Sequence, residues 1–549
     1  MIAKSQFTMS PQMPNSEFGQ ARRYLVNIDT TSTHQLFTDC LVIGAGIAGL
    51  RAAIEAAEHR NVIIVCKDTL QNSNTWLAQG GIASVLDVTD TFESHIADTL
   101  SAGCGISDEG VVDLVVRQGP NLIEQLLQWG AEFDMVNGRI ATTLEGGHTR
   151  PRVAHAHGDE TGRIIAEVLI KKVQQNPNVR LIENFFTIDL LANDDNECVG
   201  IIGHDRRGPQ IIWAANTILA TGGAGQLYRE TTNPEIATGD GIAIAYRAGA
   251  VLQDLEFVQF HPTTLYIAGA SRALITEALR GEGAVLLDNK GCRFMKDYHE
   301  AAELAPRDIV SRAILAQMLK TNSTHVYLDA RHFDKAHFAK RFPLISELCE
   351  SFNIDVTKDL IPVRPSAHYM IGGVKTNTSA RTSIQNLYAC GEIASTALHG
   401  ANRLGSNSLL EGLVFGKITG QSAYQHKKTG VSRIKHPQIK YQIPHSDRTR
   451  LDAADVRNSL RALMWRNVAI TRRAKPLIEA QEIIRFWQRY VMDKIFDSPH
   501  GWECQNMLTV SLLIAQAAHM RRESRGVHFR SDFPNTDDEH FKKHIEIHR

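Results

Sequence analysis

The sequence predicts an α/β chain in which a Rossmann-like dinucleotide-binding domain is interrupted by an inserted α+β domain and followed by a helical C-terminal domain. Three observations carry that expectation. A glycine turn links an apolar strand to a helix near the start, and apolar runs ending in glycine recur far downstream. Beyond about Thr429 the glycines thin out and helical apolar spacing takes over. With 549 residues the chain also exceeds the size at which one hydrophobic core usually stops growing.

The first element is the run Cys40-Leu-Val-Ile43, followed by Gly44-Ala-Gly46-Ile-Ala-Gly49, by Leu50-Arg-Ala-Ala-Ile54-Glu-Ala-Ala57 and by a second apolar run from Val62 to Val65. That order reads as strand, glycine turn, helix, strand. Thr217-Ile-Leu-Ala-Thr221-Gly-Gly223 and Asn386-Leu-Tyr-Ala-Cys390-Gly-Glu392 read as further buried strands, expected to join the same sheet. The intervening block is rich in polar and charged residues and reads as the insert. Val456 to Trp487 and Met507 to Arg522 have helical spacing and length. The expected boundaries are a flexible extension over 1–36, the dinucleotide-binding domain over 37–235 and 366–428, the insert over 236–365 and the helical domain over 429–549.

The composition excludes several classes. Lys and Arg number 59 against 60 Asp and Glu, so no global field steers the chain toward nucleic acid or an anionic membrane. No segment approaches the ~18 apolar residues of a spanning helix, and the N-terminus lacks the basic start and apolar stretch of a secretory signal. The eight cysteines are scattered without a metal or disulfide spacing and read as reduced thiols in a cytoplasmic protein. His148, His155, His157 and Asp159 cluster in sequence, but their spacing suits no common tetrahedral site, so no metal is expected.

The glycine fingerprint has a physical reading at each position. Gly44 permits the tight turn, Gly46 lets the backbone approach a pyrophosphate, and Gly49 allows close helix-strand packing. The helix start then offers free N–H groups and partial positive charge to the phosphates. An acid for the ribose is expected about 20 residues on. The sequence there is Cys66-Lys67-Asp68, with Asp68 slightly late and Lys67 the alternative cofactor contact.

Further motifs extend over most of the chain: Ser73-Asn-Thr-Trp-Leu-Ala-Gln79-Gly-Gly81, Gln259-Phe-His261-Pro-Thr263, Thr276-Glu277-x-x-Arg280-Gly-Glu-Gly283, Arg307-Asp-Ile-Val, His368-Tyr, Gly391-Glu392, His399-Gly-Ala-Asn-Arg403-Leu-Gly-Ser-Asn407-Ser-Leu409 and Glu523-Ser-Arg-Gly-x-His528. Together they resemble the succinate dehydrogenase, fumarate reductase and L-aspartate oxidase flavoprotein family. The resemblance implies that the first domain binds FAD and that the insert is a capping domain. Gly44, Ala45, Gly46, Ile47, Ala48 and Gly49 would hold the pyrophosphate. Lys67 and the run Asn74, Thr75, Gln79, Gly80 and Gly81 would line the flavin, with Asp240, Glu392, Ser408 and Leu409 on the ribityl chain, ribose or ring. Respiratory members carry a flavin-linked histidine in the slot of Asn74, so FAD here is expected to be non-covalent.

The resemblance also implies a dicarboxylate substrate, with His261 and Thr276 near one carboxylate and His368 and Arg403 near the other. Arg307 would exchange the proton, relayed by Glu277 and Arg280. Glu145 would pair with a substrate ammonium. The expected reaction is oxidation of L-aspartate to iminosuccinate, with oxygen or fumarate as acceptor and quinolinate synthase as the functional neighbour on the route to NAD. The alternatives are a succinate dehydrogenase or fumarate reductase flavoprotein subunit, which Asn74 and Glu145 oppose, and a non-catalytic nucleotide-binding module, which the intact cation set opposes.

Overall fold

The structure is a computed structural model that describes residues 22–267, 273–425, 436–444 and 451–549. Its centre is the expected sheet. The strand His34–Ile43 pairs in parallel with Val62–Val65 on one side and Gly208–Leu219 on the other, and Val179–Ile182 extends the parallel edge. One edge of Gly208–Leu219 is shared between two partners. Its first half pairs antiparallel with Cys198–Asp205, and its last residues pair in parallel with Leu387–Ala389. Strands some 350 residues apart in sequence therefore meet beside the glycine turn. Their side chains are buried on both faces, as a parallel sheet between helices requires.

The helix Ile47–Ala56 is covered by the helix Asn407–Gln425, which presents Gly412, Gly416 and Gly420 at four-residue spacing. A Cβ on Gly416 would lie 2.7 Å from the Ala48 carbonyl oxygen, and one on Gly420 2.4 Å from that of Ala52. The stripe allows the two backbones to approach and brings the start of the second helix to the glycine turn.

The insert has its own four-stranded antiparallel sheet, ordered Val258–Leu265, Ile361–Met370, Val326–Asp329, Val285–Leu287, and its own apolar core around Leu279, Val310, Ile314 and Phe338. The helix Asp240–Ala248 packs instead in the core of the main sheet, so the insert's packing begins later than residue 236. Strand Ile361–Met370 likewise carries the insert's sheet past residue 365.

Two differences from the sequence reading have clear causes. Residues 22–36 are not a flexible extension: Tyr24, Leu25 and Ile28 are buried, Leu25 N–H donates to Asp189 at 2.8 Å, and Ile28–Asp29 pairs with Lys440–Tyr441. The rest of that extension, 1–21, lies outside the described residues. The helical stretch from Val456 is split into Ala453–Asn467 and Ala474–Val491, because Thr471–Arg472 leaves the helix to pair with Phe529–Arg530 and Arg472 is buried there. The third long helix is Pro499–Met520. No helix among the described residues is long and apolar enough to cross a membrane, and all eight cysteines are free.

Candidate active site

A cleft opens at the C-terminal end of the parallel strands and runs to the seam with the insert. It is elongated, lined from the glycine turn at Gly44 to Arg307 and Arg403 of the far wall. Its position is where an open α/β sheet binds its ligand.

At the turn, Gly44 has φ +111° and donates its N–H to Val65 at 2.8 Å, and a Cβ on it would lie 2.1 Å from the Ala220 carbonyl. Gly49 cannot carry a Cβ either, because Gly44 O would be 2.1 Å away. Gly46 caps the helix without a side-chain bond, and the Thr75 hydroxyl accepts the Ile47 N–H at 3.0 Å. Every residue expected to hold the cofactor lines the cleft except Gly49, whose part is the packing just described.

Lys67 reaches the cleft but is engaged: its ammonium donates to Asp240 and Thr238, both at 2.8 Å, and pairs with Glu503. Burial opposes its charge, and the carboxylates of Asp240 and Glu503 outweigh burial and raise its pKa. Asp240 also accepts from Asn506 at 2.7 Å, so a residue of the C-terminal helices helps to fix this end. Farther along, Asn74 donates to Glu392 at 3.2 Å, and Glu392 accepts the Met370 N–H at 2.9 Å. Burial pushes the Glu392 carboxyl up to about 7 despite those bonds.

The residues suit FAD. Gln79 Oε1 and Thr221 Oγ1 are buried at the cleft without a partner among the described residues, which demands a polar occupant. The glycine turn, and a helix start whose N-cap glycine brings no side chain of its own, offer the donors that a pyrophosphate needs.

The far end of the cleft is walled by His261, Thr276, Glu277, Arg307, His368, Arg403 and Glu145. Glu277 bridges two arginines: one oxygen accepts Arg307 Nε at 2.7 Å and lies 2.7 Å from its Nη2, and the other accepts Arg280 Nη2 at 2.9 Å. Arg280 sits behind Glu277 and does not line the cleft. Gly146 and Gly405 make room for this chain, since a Cβ on Gly146 would lie 2.6 Å from Glu277 Oε1. Arg403 rests over the Tyr369 ring at 4.3 Å, and its Nε has no hydrogen-bond partner among the described residues. Burial, then the neighbouring Arg307, lowers its pKa to about 10, which leaves it charged at neutral pH. His261 and His368 stand with ring centroids 5.1 Å apart. Burial first, and the arginines next, hold both well below the usual histidine range, so both are neutral donors or acceptors. His368 Nδ1 is fixed by Thr232 at 2.9 Å.

Glu145 faces these cations without an ion pair to any of the three arginines. Its Oε2 accepts from Ser406 at 3.1 Å, while Oε1 is 3.4 Å from His155 Nε2 and has no hydrogen bond of good geometry. Burial alone would raise its pKa. His155, followed by the charges of His148 and Arg307, holds it down to about 2. The histidine cluster of the sequence disperses around it. His148 bonds the Gly405 carbonyl, exposed His157 faces Glu132, and Asp159 accepts the N–H groups of Leu344 and Ile345 at the start of an insert helix. No group of three or more His, Cys, Asp or Glu among the described residues is disposed to hold a metal ion.

Ser406, His155, Thr232, Gln259 and Tyr369 escape a reading by motif roles, although Ser406, Gln259 and Tyr369 lie inside the motifs. Gln259 accepts from Arg307 at 3.3 Å and donates to the Arg403 carbonyl at 2.8 Å. Its place beside His261 was the only signal.

A dinucleotide cleft that ends in a cation-walled chamber defines an FAD-dependent oxidoreductase. Residues 39–409 match the FAD binding domain family, and residues 457–548 match the fumarate reductase flavoprotein C-terminal family. A quinol fumarate reductase structure from E. coli superposes with a TM-score of 0.86 at 31% identity, covering 94% of this chain and 96% of that one. An L-aspartate oxidase of Streptomyces coelicolor is 40% identical over 535 residues, covering 93% of this chain and 91% of its own. One of Yersinia pestis is 38% identical over 530 residues, covering 92% and 97%. With that identity along nearly its whole length, the chain belongs to the L-aspartate oxidase family.

Proposed function

We propose that the chain oxidises L-aspartate to iminosuccinate, with Glu145 selecting the amino acid over dicarboxylates that lack nitrogen. The carrying observation is a buried carboxylate with one unpartnered oxygen among cations. Arg280, Arg307 and Arg403 oppose Glu145 and Glu277, which leaves one net positive charge around the chamber. Aspartate, with two carboxylates and an ammonium, neutralises it. Succinate would leave an excess negative charge in a buried site, which is costly.

The residues divide the work by chemistry. His368 and Arg403 suit one carboxylate, and His261 and Thr276 the other. FAD, when bound, supplies the two-electron acceptor for the substrate hydride. Arg307 is held by one oxygen of Glu277, which meets both its Nε and its Nη2, a charge-assisted contact that fixes the guanidinium. Glu277 continues to Arg280, so a proton given up or taken at Arg307 during chemistry at carbon has a path away from the substrate. Asn74 offers no ring nitrogen for a bond to the flavin, which supports non-covalent FAD. Oxygen, giving peroxide, and fumarate are the acceptors proposed, and an imine product suits quinolinate synthase and NAD biosynthesis. Eight free cysteines support a reducing cytoplasm.

The test is peroxide formation by purified protein with L-aspartate and with succinate, after acid precipitation to locate the flavin. Peroxide from aspartate and yellow colour left in the supernatant are expected. Turnover of succinate but not aspartate would transfer the chain to the respiratory branch of the family.

A further inference from the structure

Oxidising an amine poses a proton problem that oxidising succinate does not. The α-ammonium, with a pKa at or above about 8, must shed a proton before its nitrogen pair can form the C=N bond. Arg307 is ill suited to take it, being paired with Glu277 and bonded to Gln259. A carboxylate oxygen without a hydrogen-bond partner among the described residues, Glu145 Oε1, lies on the chamber wall, and behind it, outside the cleft lining, stands His155.

From the geometry we infer that Glu145 and His155 form a dyad that accepts the proton of the substrate ammonium, with Thr143 holding the imidazole in place. His155 Nε2 lies 3.4 Å from Glu145 Oε1 and 3.0 Å from the Thr143 hydroxyl, which is half-buried, and Thr143 in turn faces the Val153 carbonyl. Glu145 and Thr143 meet the same ring nitrogen, so Thr143, on the short strand Thr142–Thr143, orients the imidazole beside the carboxylate and carries no proton onward. Ser406 anchors the other carboxylate oxygen, so Oε1 keeps its aim. Other charged or titratable groups facing the dyad are His148, Arg307 and Arg280, none of which separates Glu145 from His155. In the step itself the N–H bond breaks as the proton goes to the dyad, its electron pair becomes the second C–N bond, and the hydride leaves carbon for the two-electron acceptor that FAD, when bound, would supply. Aspartate thereby loses one proton and one hydride. The inference rests on the proposed aspartate activity, and it gives His155 a part in handling the substrate proton that touches no substrate directly.

The experiment follows flavin bleaching by L-aspartate without oxygen, from pH 6 to 10, in wild type, His155→Gln and Thr143→Val. Fumarate reduction is run in parallel, and fumarate binding is read from the flavin absorbance. His155→Gln should slow bleaching by about 10²-fold near neutral pH, the size of a typical acid-base contribution. The rate should recover as pH rises and the free amine supplies itself. Thr143→Val should move the profile in the same direction by less. Fumarate reduction and binding, which involve no nitrogen, should stay within about 2-fold of wild type, a difference well under 1 kcal/mol. An unchanged pH profile in His155→Gln, or equal losses with aspartate and fumarate, overturns the dyad. A wild type that fails to bleach with aspartate overturns the functional reading beneath it instead.

Discussion

Replacing Glu145 by Gln removes one charge and little shape. The glutamine can still meet Ser406, which lies 3.1 Å from Oε2, and fills the same volume beside His155. Its cost falls on the substrate. Wild-type chamber and aspartate sum to neutrality, whereas the variant leaves a buried ammonium facing an amide. Removing one partner of a buried pair costs ~3 to 5 kcal/mol. The amide oxygen still accepts a hydrogen bond, so the lower end applies. About 3 kcal/mol corresponds to ~10²-fold in kcat/KM for aspartate. Succinate has no ammonium to lose, and the variant spares it a like charge, so its kcat/KM should hold or rise. The assay is dye-coupled oxidation of both substrates at fixed pH above 6, where Glu145, held down to about 2, is fully ionised in the wild type. A parallel fall with both substrates would refute the assignment of Glu145 to the amine and mean that it only props the chamber.

Glu277→Gln should leave Arg280 and Arg307 adjacent without a charge between them, lowering fumarate reduction by about 10²-fold or more while flavin content, measured by absorbance, stays near stoichiometric. Gly416→Val should push the two packed helices apart at the Ala48 carbonyl, costing ~1 to 3 kcal/mol, and show itself as a lower Tm and a poorer flavin yield. Glu392 has a pKa raised by burial to about 7 in the fold against 4.5 in the free group, so its contribution to stability is full below pH 4.5 and is gone once pH has risen through 7. Denaturant titration of flavin-free protein should therefore lose on the order of 3 kcal/mol across that window, and Glu392→Gln should flatten that part of the curve.

What the sequence made legible is local. The strand, glycine turn and helix from Cys40 to Ala57 are readable because each glycine answers to a close approach within the same unit or to a neighbouring strand that the pattern implies. The glycine stripe 412, 416, 420 was present in the sequence but unread, since its partner helix lies some 360 residues away. The supports of the substrate chamber are hidden for the same reason. Ser406 reaches Glu145 across 261 positions and Thr232 reaches His368 across 136, distances at which no periodicity survives. His155 was visible only as one of several histidines near an aspartate. Its surroundings, a carboxylate on one side and a threonine on the other, are a product of the short sheet that pairs Val153–Ala154 with Thr142–Thr143. The extension failed differently. Polar composition around residues 22–36 masked Tyr24, Leu25 and Ile28, three buried side chains in a run too short to register as a core.

The division of labour in the chamber explains how one scaffold can serve substrates with and without nitrogen. On the proposed function, binding two carboxylates and moving a proton at carbon require only the arginines and the neutral histidines, and these are held by contacts of their own: Arg307 by Glu277, Arg403 over Tyr369, His368 by Thr232. None of these contacts involves the segment 142–155. That segment adds Glu145 with His155 and Thr143 from a separate small sheet, packed against the helix-start residue Ser406. On the proposed function, amine recognition is therefore a module laid over a dicarboxylate site and not a rebuilding of it. Substitutions in the module should change which substrate is oxidised, while substitutions in the cation set should damage every substrate alike.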